Sequence, residues 1–341
     1  MDKILTIIIP TYNMEKYLHK CLDSLIINDE EMKHLEVLVI NDGSKDSSSQ
    51  IAHEYQDNYP DTFRVIDKEN GNYGSCINCG LKEATGKYIK VLDADDTYCT
   101  EVLEDFVRLI NGVDVDMFVS PFDIVNEKGE ITRTHTFDLV PDRTCILDDF
   151  LESKMLNLEM HAVTYRRSIF LDLDYHQTEG ISYTDQEWVF TPITQVVTFY
   201  YYNKCIYKYL VGREGQTVSS AVAKKSINHR IIGGATMLKE YNSFINSISV
   251  VKRNYLYNKL FARIESIYLH TIVYHNDCKQ LIEFDNLLCE TNYEIWNRVN
   301  SLSFGCLKWK YAKDWRSNNY RIKRPIYIRI YFAIHSLMQI L

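Results

Sequence analysis

The most informative feature of the sequence is a cluster of three aspartates, Asp93, Asp95 and Asp96, that directly follows the largely apolar run Tyr88–Leu92. Carboxylates that lie side by side at the end of a buried strand repel one another and are costly to remove from water. A divalent cation offsets that cost, and hard oxygen ligands suit Mg²⁺ or Mn²⁺, which keep positions open for phosphate oxygens. The spacing therefore predicts a metal–diphosphate site, with an Asp-rich turn that caps a helix as the alternative.

The first hundred residues alternate between strand-like and helix-like patterns. Strands are predicted at Ile4–Ile9, Glu36–Ile40, Phe63–Ile66 and Tyr88–Leu92, and helical patterns separate them. The helix before the last of these strands is expected between Tyr73 and Ala84, with Gly86 as its C-cap. Such alternation predicts an α/β fold with a parallel sheet and right-handed crossovers.

Polar loops follow three of the predicted strands, at Pro10–Asn13, Asn41–Ser44 and Asp93–Asp96. Ligands of open parallel sheets bind beyond the carboxyl ends of the strands. We therefore expect the three loops to converge on one edge and to form a single site for a metal ion and an anion.

Three motifs at this edge resemble those of the family 2 glycosyltransferases. They are PTYN at Pro10–Asn13, VINDGSKD at Val39–Asp46 and NCGLKEATGKYIKVLDADD at Asn78–Asp96, in matching order and spacing. The resemblance is strong over residues 1–100 and looser to about residue 220. It implies the GT-A fold, a Rossmann-like, mostly parallel sheet flanked by helices. It also implies an inverting enzyme that uses a nucleotide-sugar donor.

The resemblance implies roles for the residues that match the nucleoside-binding motifs. Pro10, Thr11 and Tyr12 would border the nucleoside, with Tyr12 as a stacking face. Asp42 would accept a hydrogen bond from the base, which uracil N3–H would satisfy. Many relatives carry two aspartates where this chain has Asn41-Asp42, so the identity of the base stays open.

In the same resemblance, Asp93-Ala94-Asp95 matches the DXD motif of the family. Asp95 would ligate the Mn²⁺ or Mg²⁺ that bridges the donor diphosphate. Asp93 would hold the ribose, a metal-bound water or the metal itself. Asp96 is either a further ligand or a cap of the following helix. A metal bound there acts as a Lewis acid that stabilises the leaving nucleoside diphosphate.

Three further residues are candidates for donor contacts. Asn78 matches the last member of an Ala-Arg-Asn triplet of the relatives, whose Arg is missing here. Lys68 is a candidate for the lost positive charge, although a solvated surface lysine is the preferred interpretation. Arg213 lies in a loop with glycines and is expected to close over the diphosphate, because Arg binds phosphate bidentately. A surface salt bridge is the alternative for Arg213.

An inverting displacement needs a general base for the acceptor hydroxyl. The family places an acidic residue about ninety positions after the metal motif, at the start of a helix, and Asp185 fits that place. Glu187 is the second candidate, and an N-cap role for Thr184 or Asp185 is the alternative. His161 lies where contacts with the acceptor are expected, but a structural role is the preferred interpretation of this single histidine.

Composition restricts the function classes. The chain has 341 residues, a formal net charge of -8 and 46% apolar residues, which indicates a globular protein and disfavours a nucleic-acid binder. Nine scattered cysteines do not suggest a disulfide framework. The N-terminal apolar run is interpreted as a strand rather than a signal peptide, so a cytoplasmic protein is expected. The sequence leaves open whether the chain forms an oligomer.

The pattern changes along the chain. Residues 1–220 are expected to form the GT-A domain, with a nucleotide-binding half at 1–100 and an acceptor half at 101–220. Asp114–Phe137 is strand-like with a hairpin turn at Asn126–Gly129, and Leu147–Leu158 is predicted to be helical. Strand-like runs follow at Val196–Tyr202 and Cys205–Tyr209. Residues 221–341 are expected to form a helical C-terminal region.

The tail is basic and amphipathic. Its cations are Lys308, Lys310, Lys313, Arg316, Arg321, Lys323 and Arg324. The segment Pro325–Leu341 is too short to span a bilayer, but a basic amphipathic helix suits an anionic membrane surface. Peripheral contact with the cytoplasmic face of a membrane is expected, with docking on the protein's own core or on a dimer partner as the alternative.

The sequence thus predicts a metal-dependent glycosyltransferase that moves a sugar from a nucleotide sugar, expected to be a UDP-sugar, to a glycan or lipid-linked glycan acceptor. By analogy with relatives, the product would be a bacterial surface polysaccharide. A sugar nucleotidyltransferase or a dehydrogenase would need a glycine-rich loop after the first strand, where this chain has Pro10–Asn13. A catalytically silent nucleotide-sugar-binding module is the remaining alternative.

Overall fold

The computed structural model describes residues 2–151, 156–213, 227–274 and 279–330. The density of internal contacts divides the chain into two compact units. The first unit comprises residues 1–217 and 248–255, and the second comprises residues 218–247 and 256–341. The domain boundary expected at residue 220 lies outside the described residues.

The first unit begins with the four parallel strands that the sequence predicts. They are β1 (Leu5–Thr11), β2 (Leu35–Asn41), β3 (Phe63–Asp67) and β4 (Tyr88–Val91). Their order in the sheet is β3-β2-β1-β4, and all three neighbouring pairs are parallel. All of β2 and β4 and nearly all of β1 are buried, which explains their continuous apolar runs.

Helices connect these strands as the alternation predicts. They are α1 (Leu18–Asp23), α2 (Asp29–Met32), α3 (Ser48–Asn58), α4 (Asn72–Glu83) and, after β4, α5 (Thr100–Gly112). The prediction that Gly86 caps α4 is wrong, because the C-cap is Ala84. A Cβ on Gly86 would lie 2.6 Å from the Thr6 hydroxyl, so the glycine permits close approach to β1 instead.

The sheet continues beyond β4 with strands of mixed direction. The remaining strands are β5 (Thr97–Tyr98), β6 (Met117–Val119), β7 (Phe122–Val125), β8 (Ile131–His135), β9 (Thr144–Ile146), β10 (Val163–Arg166), β11 (Thr198–Tyr201) and β12 (Tyr207–Leu210). In the described residues, the large sheet has the order β3-β2-β1-β4-β10-β6-β11-β9 and a smaller sheet has the order β5-β12-β7-β8. The hairpin turn predicted at Asn126–Gly129 is confirmed between β7 and β8.

The described part of the first unit also contains the short helices α6 (Asp148–Leu151), α7 (Ser168–Asp172) and α8 (Asp185–Trp188). The helix predicted at Leu147–Leu158 is too long, because residues 156–158 are irregular and residues 152–155 lie outside the description. Two 3₁₀ turns lie at Met160–Ala162 and Pro192–Thr194.

The described part of the second unit is mainly helical. Its helices are α9 (Ile227–Phe244), α10 (Val250–Tyr268, of which the residues to Tyr255 belong to the first unit), α11 (Lys279–Thr291), α12 (Tyr293–Val299) and α13 (Tyr311–Ser317), with a π-helical turn at Leu269–Tyr274. Arg316 forms a buried ion pair with Asp285 and packs over the Trp296 ring, so it does not contribute to the basic surface predicted for the tail.

The tail helix predicted at Pro325–Leu341 is described only to residue 330, and residues 326–330 are helical. Over the described ranges, the chain contains no helix with both the length and the apolar character that crossing a bilayer requires.

The packing of α4 on β1 generates a test of the fold. A Cβ on Gly80 would lie 2.5 Å from Cγ2 of the buried Ile8, so we expect Gly80→Ala to lower the free energy of unfolding by about 1–3 kcal/mol. Gly112 ends α5 with no atom within 4 Å of a Cβ built on it, so Gly112→Ala should be neutral or stabilise by up to about 1 kcal/mol. Urea unfolding of both variants measures the difference, and equal effects would contradict this packing.

Candidate active site

The carboxyl ends of β1, β2 and β4 bring the three polar loops to one edge of the sheet. Thr11 at the end of β1 is paired with Asn41 at the end of β2, and the Asp42 N–H donates to the Thr11 carbonyl at 2.8 Å. On the other side of β1, Ile8 is paired with Val91, the last residue of β4. Pro10 and Thr11 are largely buried at this edge, whereas the Tyr12 ring is 45% exposed.

Asp42 is held by the start of α4. Its carboxylate accepts the backbone N–H groups of Gly71 and Asn72, each at 2.9 Å, and pairs with the Lys68 ammonium at 2.7 Å. Asn72 adopts a left-handed conformation, with φ of 66°, which helps turn its N–H toward Asp42. The preferred interpretation of Lys68 as a solvated lysine is therefore wrong, because it is a partly buried partner of Asp42.

The carboxylate of Asp93 lies in a buried, polar environment. It accepts a hydrogen bond from the Tyr73 hydroxyl of α4 at 3.0 Å. Burial, followed by the negative charge of Asp95, raises the pKa of Asp93 to about 6. The same environment, with the charges of Asp93 and Asp185 added to burial, raises the pKa of Tyr73 well above its usual range.

Asp96 connects the aspartate cluster to β12. Its two carboxylate oxygens accept hydrogen bonds from the Tyr207 hydroxyl at 2.6 Å and the Leu210 N–H at 2.7 Å. Burial and the charges of Asp95 and Asp93 raise the pKa of Asp96 well above its usual range. The idea that Asp96 caps the following helix is wrong, because Cys99 occupies the N-cap of α5.

Asp95 is paired with Arg213. The guanidinium Nε lies 2.5 Å from the Asp95 carboxylate, and both side chains are nearly nine-tenths buried. The guanidinium also lies over the Tyr17 ring, 5.4 Å from its centroid. This site is therefore not the exposed surface salt bridge that the sequence leaves as an alternative for Arg213.

His161 completes a group of metal-ligand atoms. In the described part of the chain, one ligand atom each from Asp93, Asp96 and His161 lie within 4.8 Å of one another. The His161 ring packs against Tyr209 and Tyr207, and its Nδ1 lies 3.8 Å from a Glu159 oxygen. Asp95, the ligand expected from the sequence, is not in this group but lies beside it in the chain.

A buried cation that the sequence analysis missed supports this corner. Lys90 is fully buried in β4, and its ammonium donates to the carbonyls of His161 and Val163 at 2.9 and 3.2 Å. Burial lowers the pKa of Lys90 to about 7. The signal in the sequence is the single lysine within the apolar run of β4.

Asp185 is the first residue of α8 and lies close enough to Asp93 and Tyr73 for its charge to raise their pKa values. Glu187, the second candidate base, is buried and accepts the Thr178 N–H at 2.8 Å. Thr184 lies at the N-cap, but its hydroxyl makes no capping bond and instead accepts from Gln177 at 2.9 Å.

Asn78 lies in the middle of α4, and its amide is bonded to the segment that precedes α8. Its Oδ1 accepts the Gln177 N–H at 2.8 Å, and its Nδ2 donates to the Gln177 carbonyl at 2.9 Å and to Glu179 at 2.8 Å. The structure therefore brings the cluster of three aspartates together with Asp42 and Asp185 in one region. The amide of Asn78, in contrast, is hydrogen-bonded to other residues of the protein.

Comparison with known proteins identifies the family. The model of the glycosyl transferase family 2 matches residues 6–173, the part of the chain that carries β1–β4, the aspartates and His161. This segment, residues 6–173, belongs to glycosyltransferase family 2. Its mixed α/β architecture is the GT-A fold of this family, which confirms the fold class predicted from the sequence.

Relatives of this family 2 protein include larger proteins. GlyA of Streptococcus pneumoniae is 28% identical over 224 residues, which cover 62% of this chain and 31% of GlyA. The poly(ribitol-phosphate) β-N-acetylglucosaminyltransferase TarS of Staphylococcus aureus is 27% identical over 217 residues, which cover 63% of this chain and 37% of TarS. The matches thus span only about a third of the length of either relative.

Solved structures share the fold of this family 2 protein. TarS residues 1–349 in complex with UDP-GlcNAc superimpose with a TM-score of 0.54, 20% identity and coverage of 79% of this chain and 84% of that one. The mannosyltransferase PcManGT of Pyrobaculum calidifontis, in complex with GDP-Man and Mn²⁺, gives a TM-score of 0.51 at 14% identity, with coverage of 87% and 84%. At these identities the likeness concerns the fold alone.

The raised pKa of Asp93 generates a test of the site's electrostatics. Because the folded-state pKa of about 6 exceeds the unfolded value near 3.9, the folded state binds more protons and loses stability as pH rises through this window. Asp93→Asn removes this loss. In EDTA, the variant should match the wild type near pH 4 and exceed its free energy of unfolding by about 1–3 kcal/mol at pH 7.

The control for this comparison is Asp57→Asn, a change at an exposed aspartate of α3. Its stability difference from the wild type should not vary with pH. Urea unfolding at several pH values measures both differences, and a pH-independent gap for Asp93→Asn would contradict the assigned electrostatics.

Proposed function

We propose that this protein is a metal-dependent inverting glycosyltransferase that moves a sugar from a nucleotide sugar to a glycan or lipid-linked glycan acceptor. The single observation that carries the proposal is the grouping of Asp93, Asp96 and His161 at the edge where Asp42 follows β2. A carboxylate-rich metal site and a base-binding carboxylate on one edge are the parts that a nucleoside diphosphate requires.

The metal proposal rests on the chemistry of the donor set. Buried carboxylates with raised pKa values are under-neutralised, which favours binding of a dication between them. We propose that Asp93 and Asp95 hold Mn²⁺ or Mg²⁺, and that Asp96 and His161, whose ligand atoms lie within 4.8 Å of that of Asp93, can add an oxygen and a nitrogen ligand. Since imidazole suits transition metals while Mg²⁺ prefers oxygen, a contribution from His161 would favour Mn²⁺. When bound, the cation would stabilise the negative charge of the departing diphosphate.

For the donor, UDP-sugars are the proposed class. Asp42 offers a buried carboxylate that can accept a base N–H, and the exposed ring of Tyr12 offers a stacking face beside it. TarS binds UDP-GlcNAc and PcManGT binds GDP-Man, so the fold accommodates more than one nucleotide. The sequence relationship to TarS favours uracil here, with transfer of a hexosyl or N-acetylhexosaminyl group.

Arg213 is proposed to contact the donor diphosphate. In the structure its guanidinium neutralises Asp95, so binding of a cation to Asp95 would release the arginine for the phosphate oxygens. The exchange keeps Asp95 paired with a positive charge throughout, which avoids leaving a buried carboxylate without a partner.

Asp185 is proposed as the general base that takes the proton of the acceptor hydroxyl. It is the first residue of α8, the place at the start of a helix where the family resemblance expects the base. The charge of Asp185 contributes to the raised pKa of Asp93, which indicates that Asp185 lies near the proposed cation. Glu187 is a weaker candidate, because it is buried and bonded to the backbone of Thr178.

Two substitutions separate donor binding from transfer. We expect calorimetry to detect Mn²⁺-dependent binding of UDP that Asp95→Ala abolishes and Asp57→Ala does not. Asp185→Asn should leave the UDP dissociation constant within about twofold of the wild type and reduce sugar transfer by at least about 10²-fold, because only the base is lost. Asp172→Asn, at an exposed position of α7, is the matched control for transfer.

Each outcome discriminates between functions. Transfer that survives Asp185→Asn would exclude Asp185 as the base. UDP binding without any transfer or donor hydrolysis across a panel of sugar donors would support the silent binding module. Binding that does not respond to Mn²⁺ or Mg²⁺ would contradict metal dependence.

A peripheral membrane contact of the second unit is also proposed. Leu307, Ile326 and Ile330 are large exposed apolar residues. A Cβ on Gly305 would lie 3.1 Å from Cδ1 of Ile328, so the loop at Gly305 lies beside the start of the tail helix. The same part of the sequence carries exposed cations: Lys308, Lys310, Lys313, Arg321, Lys323 and Arg329. Apolar side chains among cations fit the surface of an anionic bilayer, where a lipid-linked acceptor would lie.

Vesicle sedimentation tests this contact. The protein should pellet with phosphatidylglycerol-containing vesicles and not with phosphatidylcholine alone. Deletion of residues 321–341, or the double substitution Ile326→Asp and Ile330→Asp, should weaken pelleting at least about tenfold, because apolar burial is lost and charge repulsion is gained. Leu171→Asp, at an exposed leucine of the first unit, is the control. An unchanged distribution would contradict the proposal.

A further inference from the structure

The loop that precedes α8, residues 174–183, contacts α4 and its N-cap, Gly71, through residues 177–180. The amide of Asn78 pairs with both backbone groups of Gln177, at 2.8 and 2.9 Å, much as a neighbouring strand would. Further along the loop, the Gly180 N–H donates to the Gly71 carbonyl at 2.9 Å. A Cβ on Gly74 would lie 2.0 Å from the Thr178 carbonyl oxygen, so the missing side chain permits this contact.

The same loop is bonded to α8. The buried side-chain amide of Gln177 accepts from the Tyr175 hydroxyl at 3.1 Å and donates to the Thr184 hydroxyl at 2.9 Å. The Thr178 N–H donates to the buried Glu187 at 2.8 Å. Thr184 and Glu187 flank Asp185 in the sequence, so the loop holds the start of α8 from both sides of that residue.

We propose that Asn78, Gln177 and Thr184 form a positioning chain that fixes Asp185 relative to α4. This inference rests on the proposed function, in which Asp185 is the base. The first turn of α4 holds Asp42 through Gly71 and Asn72, and Tyr73 of the same turn binds Asp93. The helix that orders the donor side of the site therefore also sets the position of the acceptor's base.

This inference changes the role that the sequence gave to Asn78. An asparagine amide has two N–H donors, and those of Asn78 face the Gln177 carbonyl and Glu179 at 2.9 and 2.8 Å. Its Oδ1 already accepts the Gln177 N–H. The amide therefore makes its hydrogen bonds within the protein. We assign Asn78 to the positioning of Asp185, the general base, rather than to binding of the nucleotide-sugar donor.

The positioning chain affects the rate of transfer because general-base catalysis depends on the position of the base relative to the acceptor hydroxyl. A displacement of about 1 Å can cost about 10²-fold in rate, whereas the donor site of Asp42, Asp93 and Asp95 does not depend on the Gln177–Thr184 bond. Loss of that bond should therefore reduce kcat and leave the affinity for UDP unchanged. Substitution of a residue that binds the donor would instead weaken the affinity for UDP and leave kcat largely unchanged.

The sharpest experiment compares Thr184→Val with Thr184→Ser in the full-length protein. Valine preserves the shape of threonine but removes the oxygen that accepts from Gln177, whereas serine keeps it. We expect Thr184→Val to lower kcat for transfer by about 10–100-fold with the Mn²⁺-dependent UDP dissociation constant within about twofold of the wild type. Thr184→Ser should retain kcat within about threefold.

A second pair tests the other end of the chain. Asn78→Asp keeps the acceptor oxygen but replaces both N–H donors, which places a carboxylate oxygen against the Gln177 carbonyl and Glu179. It should lower kcat like Thr184→Val while retaining UDP binding. Asn58→Asp, the same change at an exposed position near the end of α3, should leave both quantities unchanged.

The outcomes separate this inference from the proposed function. If Asp185→Asn abolishes transfer but Thr184→Val does not lower kcat, the positioning chain is wrong and the base assignment stands. If Asp185→Asn leaves transfer intact, the base assignment on which the positioning chain rests fails, while the transferase activity itself stands. Weaker UDP binding with unchanged kcat in Asn78→Asp would return Asn78 to the donor site and overturn the inference, as would equal effects of valine and serine at Thr184.

Discussion

The repulsion among three carboxylates at the end of β4 is the constraint on which the rest of the site depends. Each aspartate is satisfied by a different part of the chain: Asp93 by Tyr73 of α4, Asp95 by Arg213 and Asp96 by β12. Because the partners come from α4 on one side and from β12 and the loop that follows it on the other, the cluster joins these two parts of the chain at one point. The same repulsion makes the point attractive to a cation.

The three aspartates are not equivalent, because their different hydrogen-bond and ion-pair partners suit them to different roles at the site. Asp96 is fixed by two neutral donors and has little freedom to move. Asp95 is paired with a charged side chain, which can be exchanged for another cation without leaving a bare charge. Asp93 accepts a hydrogen bond from the Tyr73 hydroxyl, and its ligand atom lies near that of His161. It is therefore placed to share a cation with both Asp95 and His161.

The sequence predicts the central sheet well because burial on both faces leaves continuous apolar runs. β1 to β4 lie within two residues of their predicted ends, and the rule that ligands bind at the carboxyl ends of parallel strands indicates the correct edge. The helix predicted at Leu147–Leu158 is less accurate, because a short apolar pattern does not distinguish a helix from irregular buried chain.

The contacts within the site could not be predicted because they join residues far apart in sequence. Asn78 meets Gln177 across 99 residues, and Arg213 meets Asp95 across 118. Family resemblance placed both residues near the donor, but only the structure gives their present partners. Lys90 was missed for the same reason, since its two acceptors lie 71 and 73 residues further along the chain.

The smaller sheet shows how such a distant contact is specified. β5 begins directly after Asp96, and β12 pairs with it in antiparallel register, Tyr207 with Tyr98 and Lys208 with Thr97. Continuing past this pair, Leu210 meets Asp96 through a hydrogen bond of 2.7 Å. Three residues later the chain reaches Arg213, opposite Asp95. A shift of register by one residue would turn every side chain of β12 to the other face, so the ladders of β12 with β5 and with β7 together determine where the chain reaches Arg213.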